Sequence, residues 1–221
     1  MGSDNMHHKR KARNARTLHR RTSKRSPYDK VLIVCEGEKT EPYYFQELID
    51  HYQINTANVV VDSKSGSSPD RVLKRAEDLY KESVKTGDNY DKVFCVFDKD
   101  SHKHFISTKK AIEIKKPKGV FVSITSVPCF EYWVLLHYKY SDAPFVRGGS
   151  KSICDNVAKE VKIFDKDYKK GARGLFFKLE KNLSIAKKHA DMSLKAALST
   201  GTDNPTTNIH ELVDYLQNLK K

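Results

Sequence analysis

The stretch Val31-Leu32-Ile33-Val34-Cys35-Glu36 decides the fold, together with a second run of the same kind, Val-Phe-Cys-Val-Phe-Asp at residues 93–98. Both runs are continuously apolar and rich in β-branched or aromatic residues, which is typical of strands buried on both faces of a parallel sheet. Each run ends in an acid, and Asp100 follows the second run closely. Because the carboxyl ends of parallel strands meet at one sheet edge, we expect Glu36, Asp98 and Asp100 to share a crevice there.

Strand-like and helix-like segments alternate around these two runs. Further strands are predicted at 58–61 and 120–124, and helices at 42–52, 69–86, 101–116 and from residue 128 onward. This alternation favours βαβ units, and hence a mainly parallel α/β sheet flanked by helices. Beyond Gly149 the strand signal stops, and helical stripes follow at 153–164, 175–186 and 209–216. We therefore predict three regions: a disordered basic tail at 1–28, an α/β domain at 29–148 and a helical C-terminal extension at 149–221.

Positive charge is concentrated near the N-terminus. The formal net charge is +13, and residues 1–30 contain ten Lys and Arg against two Asp, a net charge of +8. Such a segment, poor in apolar residues, favours disorder in the free chain and contact with nucleic-acid phosphates through counterion release. A solubilising leader is the alternative. The residues predicted to bind nucleic acid are Lys9, Arg10, Lys11, Arg20 and Arg21 of the tail, with Lys99 and Lys103 beside the second acidic run.

Composition and missing motifs exclude several classes of protein. No stretch approaches the roughly 18 apolar residues of a membrane span, and the N-terminus lacks the apolar core of a secretory signal. We therefore expect a cytoplasmic protein without a membrane partner. The four cysteines form no C-x-x-C pair, which favours reduced, buried cysteines over disulfides or a zinc site. The chain has no G-x-x-x-x-G-K-[ST] motif, which argues against intrinsic P-loop ATPase activity.

The acidic residues predict a divalent-metal site. Glu36 closes a wholly apolar run, where an unpaired carboxylate is costly. In an extended segment the side chains of Asp98 and Asp100 share a face, and two such carboxylates repel each other unless they are protonated or bridged by a cation. Mg²⁺, or the similar Mn²⁺, takes oxygen ligands and typically bridges to phosphate, which in a basic chain indicates chemistry on nucleic acid. The alternatives are solvated loop acids, with Glu38 and Glu41 only complementing a helix dipole.

Other polar and aromatic residues give weaker signals. His102 and His104 flank the second acidic motif and could contact phosphate or transfer a proton, although a solvated helix start is the commoner arrangement. His137 lies on the apolar stripe of the aromatic helix and is predicted to be a core residue. The loop Ser65-Gly66-Ser67-Ser68 could cradle a phosphate before a helix. The aromatic residues are mostly core, but an exposed Tyr43 or Tyr132 could stack on a base.

Four segments together resemble the RloB family. They are V-C-E-G-E-K-T-E-P-Y-Y-F at 34–45, V-F-D-K-D at 96–100, P-C-F-E-Y-W-V-L-L-H-Y at 128–138 and N-P-T-T-N-I-H at 204–210. RloB-like proteins are similar to the Toprim group, so the resemblance implies a Toprim-like sheet. It implies general acid/base work for Glu36 and Mg²⁺ binding by Asp98 and Asp100, and Glu41 and Glu131 are further candidate ligands. It also implies a partner ATPase and a role in abortive infection or defence against phage.

These observations predict a metal-dependent, Toprim-type nuclease acting on DNA or RNA, with Glu36, Asp98 and Asp100 as catalytic residues. A non-catalytic module that binds nucleic acid or an ATPase partner is the second hypothesis. It is favoured slightly because no dedicated base is obvious in the sequence. A phosphatase with an aspartate nucleophile in the D-x-D motif is the third, and it leaves Glu36 without a role.

Overall fold

A computed structural model of the chain describes residues 28–148 and 151–219. The elements, in chain order, are β1 Val31–Cys35, α1 Thr40–His51, β2 Val59–Asp62, α2 Pro69–Thr86, β3 Lys92–Asp98, α3 Phe105–Glu113, β4 Phe121–Val127, α4 Phe130–Leu136, α5 Ile153–Phe164, α6 Leu175–Leu179, a 3-10 turn at Glu180–Asn182, α7 Leu183–Thr200, β5 Thr206–Thr207 and α8 Ile209–Asn218. The predicted disordered tail falls almost wholly on residues 1–27, which lie outside the described residues. No helix in the described part of the chain combines the length and apolar character needed to cross a membrane.

The sheet has five strands in the order β2-β1-β3-β4-β5. β2, β1, β3 and β4 are parallel, and β5 pairs with β4 in the antiparallel sense. The chain places β2 on one side of β1 and β3 on the other, so the strand order reverses between β1 and β3. Ligand crevices of open α/β sheets lie at such a point, beyond the carboxyl ends of the strands. The prediction of a mainly parallel sheet flanked by helices is confirmed, and the Toprim-like arrangement stays a prediction.

Both faces of the sheet are buried, as the apolar runs predicted. Along β1, Val31, Ile33 and Cys35 face one apolar cluster, and Leu32 and Val34 face the other. The second cluster is closed by α2 and α3, and the first by α1 and the helices from α4 onward. Fully burying a Val, Leu or Ile side chain contributes about 1.5–3 kcal/mol, so each face of this strand gives the sheet a substantial driving force.

The region after residue 150 packs on the same core as the sheet. Val157 of α5, Leu179 of α6 and Leu212 of α8 belong to the cluster that also contains Phe45 and Trp133. The domain boundary at residues 148 and 149 stays a prediction. The predicted helical stripe at 175–186 is divided into α6, the 3-10 turn and the longer α7.

The expectation that no strand follows Gly149 is wrong, because β5 extends the sheet at Thr206–Thr207. Two residues are too few to produce an alternating pattern, so the strand has no sequence signal of its own. Asn208 holds it in place: its side chain accepts from the Thr125 N–H at 2.6 Å and donates to the Ser123 carbonyl at 3.1 Å. The helix predicted at 101–116 is also shorter than expected, spanning Phe105–Glu113.

The predictions for the cysteines and for His137 are largely confirmed. All four cysteines are free; Cys35, Cys95 and Cys129 are buried, whereas Cys154 is partly exposed. His137 is buried, and its Nδ1 lies 2.9 Å from the Trp133 carbonyl oxygen. Burial is the largest influence on this imidazole and lowers its pKa to about 4, so it is neutral in the core.

Candidate functional site

A cavity of about 660 Å³ opens at the carboxyl ends of β1 and β3, where the strand order reverses. We call it the acidic cavity. Its lining includes all five predicted acids: Glu36, Glu41, Asp98, Asp100 and Glu131. They come from the β1–α1 turn, the first turn of α1, the end of β3, the turn after it and the first turn of α4. Parallel strands that end at one edge bring these distant segments together.

Glu36 is held against the end of β3. Its backbone N–H donates to the Val96 carbonyl at 2.9 Å, and its Oε2 accepts from the Asp98 N–H at 3.1 Å. His102 Nε2 lies 2.8 Å from Glu36 Oε1, which makes His102 a direct partner of this acid. Burial raises the pKa of Glu36 and the charge of Asp100 adds to the effect, while the Asp98 N–H and His102 oppose it.

Asp98 ends β3 and is bonded to the start of α4. Its Oδ2 accepts from the Phe130 N–H at 3.1 Å. Burial, followed by the negative charges of Glu41 and Glu131, raises the pKa of Asp98 well above its usual range. The site therefore holds this carboxyl among like charges, which favours its protonated form unless a cation is supplied.

The prediction that Asp98, Lys99 and Asp100 form one extended segment is wrong. The strand ends at Asp98, and Asp100 adopts the left-handed region with φ of 29°. The N–H groups of Lys99 and Asp100 donate to the carbonyls of Ser126 and Pro128, each at 2.9 Å. These two bonds hold the turn against the end of β4 and the residue that follows it, and Asp100 still lines the cavity from the turn.

The side chain of Glu41 reaches the acidic cavity by passing close to Gly37. Only 7% of the residue is exposed, and burial raises its pKa to about 7, with Glu131 and Glu36 adding to the effect and Lys170 opposing it. A Cβ at Gly37 would overlap the Glu41 carboxylate. A glycine after the first strand therefore leaves the space that the Glu41 carboxylate occupies.

Glu131 is almost fully buried, at 1% exposure. Its Oε1 lies 3.2 Å from Lys170 Nζ and accepts a long hydrogen bond of 3.4 Å from the Tyr168 hydroxyl. Its Oε2 is buried without a hydrogen-bond partner among the described residues. Burial tends to lower the pKa of Lys170, but the Glu131 carboxylate is among the charges that give it a net increase, so the lysine stays charged.

Tyr168 and Lys170 are functional candidates that the sequence did not single out. They lie in residues 165–174, a connection that we call the strap. Its Gly171 N–H donates to Thr40 Oγ1 at 3.0 Å, and its Gly174 N–H donates to the Glu47 carboxylate at 2.5 Å. The strap is thereby anchored on α1 as one wall of the cavity. Its only sequence signal is a basic pair before a glycine, Lys169-Lys170-Gly171.

Of the residues predicted to bind nucleic acid, only Lys99 and Lys103 fall within the described part of the chain. Lys99 pairs with Asp203 at 2.7 Å, and Lys103 is exposed; neither lines the acidic cavity. Lys9, Arg10, Lys11, Arg20 and Arg21 lie outside the described residues. The lysines that do line the cavity are Lys39, Lys162 and Lys170. In the loop proposed as a phosphate cradle, the Ser65 hydroxyl donates to the Cys35 carbonyl at 2.7 Å and so supports the end of β1.

The donor chemistry of the acidic cavity fits a hard divalent cation, although the donors are not assembled around one point. Within residues 28–148 and 151–219, no group of three or more His, Cys, Asp or Glu side chains is placed so that it could hold a metal ion. The carboxylates are nevertheless the oxygen ligands that Mg²⁺ and Mn²⁺ prefer, and one buried oxygen of Glu131 has no hydrogen-bond partner in the part of the chain that the structure describes. A cation would compete with His102 for Glu36 and with Lys170 for Glu131.

Comparison with known proteins gives one match. A protein-family model described as RloB-like protein matches residues 31–216, a span that runs from the first residue of β1 into α8 and includes every acid of the cavity. No match was found among curated proteins or among solved structures.

Proposed function

The chain belongs to the RloB-like protein family, and we propose that it is a divalent-metal-dependent nuclease of the Toprim type that hydrolyses phosphodiester bonds in DNA or RNA. One observation carries the proposal. Five carboxylates from separate chain segments surround one cavity at the strand-order reversal, and burial together with mutual repulsion raises the pKa of Glu36, Glu41 and Asp98. Strongly perturbed acids in a cleft are typical of catalytic sites.

The charge of the cavity explains why a cation is needed. Among the described residues, seven acids and three lysines line it, although the whole chain is strongly basic. A polyanionic substrate would be repelled from such a surface unless positive charge were added. We propose that Glu36, Asp98 and Asp100 hold the ion, with Glu41 and Glu131 available to complete its ligands. Bound Mg²⁺ or Mn²⁺ supplies a Lewis acid for the scissile phosphate.

The side chains around the acids have roles of their own in this proposal. Glu36 and His102 lie within hydrogen-bond distance, at 2.8 Å, and can hold or exchange a proton beside the reacting phosphate. Lys170 neutralises Glu131, and its side chain is 64% exposed, so it can also meet a substrate phosphate. Lys39 and Lys162 add positive charge to the same lining.

A second candidate function is a non-catalytic module that binds nucleic acid or a partner ATPase. It is favoured by the finding that, among the described residues, no three acids or histidines are placed to share an ion. In that case the clustered acids would stay partly protonated, with His102 and Lys170 as their lasting partners, and no bond would be broken.

The test uses purified protein with Mg²⁺ or Mn²⁺ and, in separate reactions, plasmid, single-stranded DNA, total RNA and tRNA. Glu36→Gln should slow cleavage by about 10²-fold or more, as expected for loss of a general acid or base. Asp98→Asn should abolish it. The matched control is Asp78→Asn, the same change at an exposed position of α2, which should keep the parent rate.

Each outcome of this test decides between the candidates. Equal cleavage by the parent and all variants would show a contaminating nuclease and remove the proposal. No cleavage with intact binding, repeated in the presence of a co-expressed partner, would favour the module. Calorimetry with Mn²⁺ alone adds a readout besides activity, because Asp98→Asn should weaken metal binding in the absence of any substrate.

We further propose, from family membership, a cytoplasmic effector that acts with a partner ATPase in defence against phage. The chain itself has no P-loop motif, so an ATP-driven step requires a second protein. Co-purification from the native host should recover an ATP-hydrolysing protein with the parent. Phage protection should be lost with Asp98→Asn and kept with Asp78→Asn.

A further inference from the structure

A second concave surface adjoins the acidic cavity, and we call it the basic groove. It encloses about 510 Å³ and is lined by Glu38, Lys39, Tyr43, Ser63, Lys64 and Gly66. Glu38 and Lys39 line both the groove and the cavity. The groove therefore lies next to the cavity, beside the end of β2, with Glu38 and Lys39 between the two.

The groove and the cavity differ sharply in charge. Glu38 is the only acid among the groove residues, beside Lys39 and Lys64, whose side chains are exposed. Within the described residues, neither ammonium forms an ion pair, although the Asp62 carboxylate, which pairs with Arg75, accepts from the Lys64 N–H at 3.1 Å. A Cβ at Gly66 would lie 3.1 Å from Arg71 Cδ, so a further basic side chain packs against Gly66, although Arg71 does not line the groove. The groove is thus positive where a strand would enter, and the cavity is acidic where a metal would act.

A cation–π pair, Arg173 over Tyr43, lies beside these lysines. Tyr43 is partly buried and lines the groove, and the Arg173 guanidinium lies over its ring, 4.2 Å from the centroid. Arg173 does not line the groove itself, but it is exposed, so the guanidinium that lies over the phenol ring stays accessible to a ligand. Gly171 and Gly174 anchor the strap on either side of Arg173, which limits its movement.

We propose that the basic groove binds a single-stranded segment of nucleic acid, with one base stacked on the Arg173–Tyr43 pair and the adjoining phosphates on Lys39 and Lys64. The inference rests on the proposed nuclease function and specifies its substrate class. Stacking on aromatic rings and guanidinium planes requires an unstacked base, which a single strand presents and a duplex covers. The groove then delivers the strand to the acidic cavity through the shared residues Glu38 and Lys39.

The experiment measures binding by fluorescence anisotropy with the full chain in EDTA, so that no chemistry is required. The probes are labelled strands of about 12 nucleotides, within the range that single-strand sites cover. They comprise RNA, DNA of the same sequence, an abasic strand of equal length and a blunt duplex. The basic residues before residue 28 are present in every variant, so their contribution cancels in the comparisons.

Arg173→Ala should weaken binding of the base-containing strands about tenfold, the loss expected from one stacked base. Arg173→Lys keeps the charge but not the plane, so it should recover little of that loss. Neither change should alter binding of the abasic strand by more than the loss of one charge. Lys64→Ala should reduce the slope of log affinity against log salt concentration by the amount expected for about one phosphate contact. This reduction should be seen with each of the single-stranded probes. Lys118→Ala, an exposed lysine at the opposite edge of the sheet, should behave as the parent.

Several results would overturn the inference. One is full rescue by Arg173→Lys, or an equal loss with the abasic strand, since charge alone would then explain binding. Another is a duplex that binds as tightly and is equally sensitive to Arg173→Ala. A third is competition by polyglutamate at the same charge concentration as the strand, which would indicate an acidic protein partner. Base-dependent binding without metal-dependent cleavage would contradict the proposed nuclease activity and support the single-strand site in the groove. Metal-dependent cleavage without base-dependent binding would support the nuclease activity and contradict the single-strand site.

Discussion

Neutralising Glu41 should stabilise the protein at alkaline pH and leave it unchanged in acid. Glu41 is 7% exposed and faces Glu131 and Glu36, and burial is the main reason that its pKa lies near 7 instead of at 4.5. Glu41→Gln keeps the shape of the side chain and removes the ionisation. The substitution therefore isolates the cost of holding a charged carboxylate in the cavity.

The direction with pH follows from linkage. Well below pH 4.5 the carboxyl is protonated in both the folded and the unfolded chain, so the parent and the variant should be equally stable. Between 4.5 and about 7 the unfolded chain releases its proton first, so the free energy of unfolding of the parent falls as the pH rises. Above about pH 7 the full cost is present. At about 1.4 kcal/mol for each pKa unit it amounts to about 3 kcal/mol, of which neighbouring acids that titrate together share a part.

The assay is urea denaturation in EDTA at about pH 4 and about pH 8, where the linkage is absent and complete. We expect Glu41→Gln to exceed the parent by about 2–3 kcal/mol at the higher pH and by less than about 0.5 kcal/mol at the lower one. Glu38→Gln, the same change at an exposed neighbour, should stay within about 0.5 kcal/mol of the parent throughout. Equal stability of parent and variant at alkaline pH, or a gain of the same size at both values, would refute the reasoning. Added Mg²⁺ should stabilise the parent more than the variant if the cavity binds it.

Three further predictions concern the support of the site. Glu47→Gln should lower the free energy of unfolding by about 1–3 kcal/mol, because one of the two N–H donors of Gly174 and Phe176 loses its acceptor. Urea denaturation measures this loss. Gln46→Ala, at the adjacent position, serves as the control. Gly37→Ala should abolish metal-dependent cleavage with an unchanged circular dichroism spectrum, since its Cβ displaces the Glu41 carboxylate; a parent-like rate would contradict this. His102→Gln should raise the pKa of Glu36 in the metal-free protein, because His102 opposes the effect of burial on that pKa. NMR titration of the Glu36 carboxyl carbon would show the increase. An unchanged or lower pKa would argue against the Glu36–His102 interaction.

Much of the sheet and the meeting of the acids could be predicted from local sequence. β1 and β3 are recognisable because strands buried on both faces must be apolar at every position, and Glu36 and Asp98 follow such runs directly. The boundaries of α2 were also recognisable, since Pro69 starts the helix and Gly87 ends it in the left-handed region. The turn at Asp100 was not, because it is held by hydrogen bonds to Ser126 in β4 and to Pro128 just after that strand.

The sequence by itself determined that buried parallel strands end in carboxylates, because an apolar run and the acid that follows it are consecutive residues. Tertiary structure alone decided which side chains lie beside those carboxylates and bind them. The strap reaches α1 across 131 residues from Thr40 to Gly171, and Tyr168 meets Glu131 across 37 residues. The Arg173–Tyr43 pair beside the basic groove likewise joins residues 130 positions apart in the sequence. Such contacts depend on how helices pack against the sheet, and packing is set by the shape of the whole core instead of by any local period.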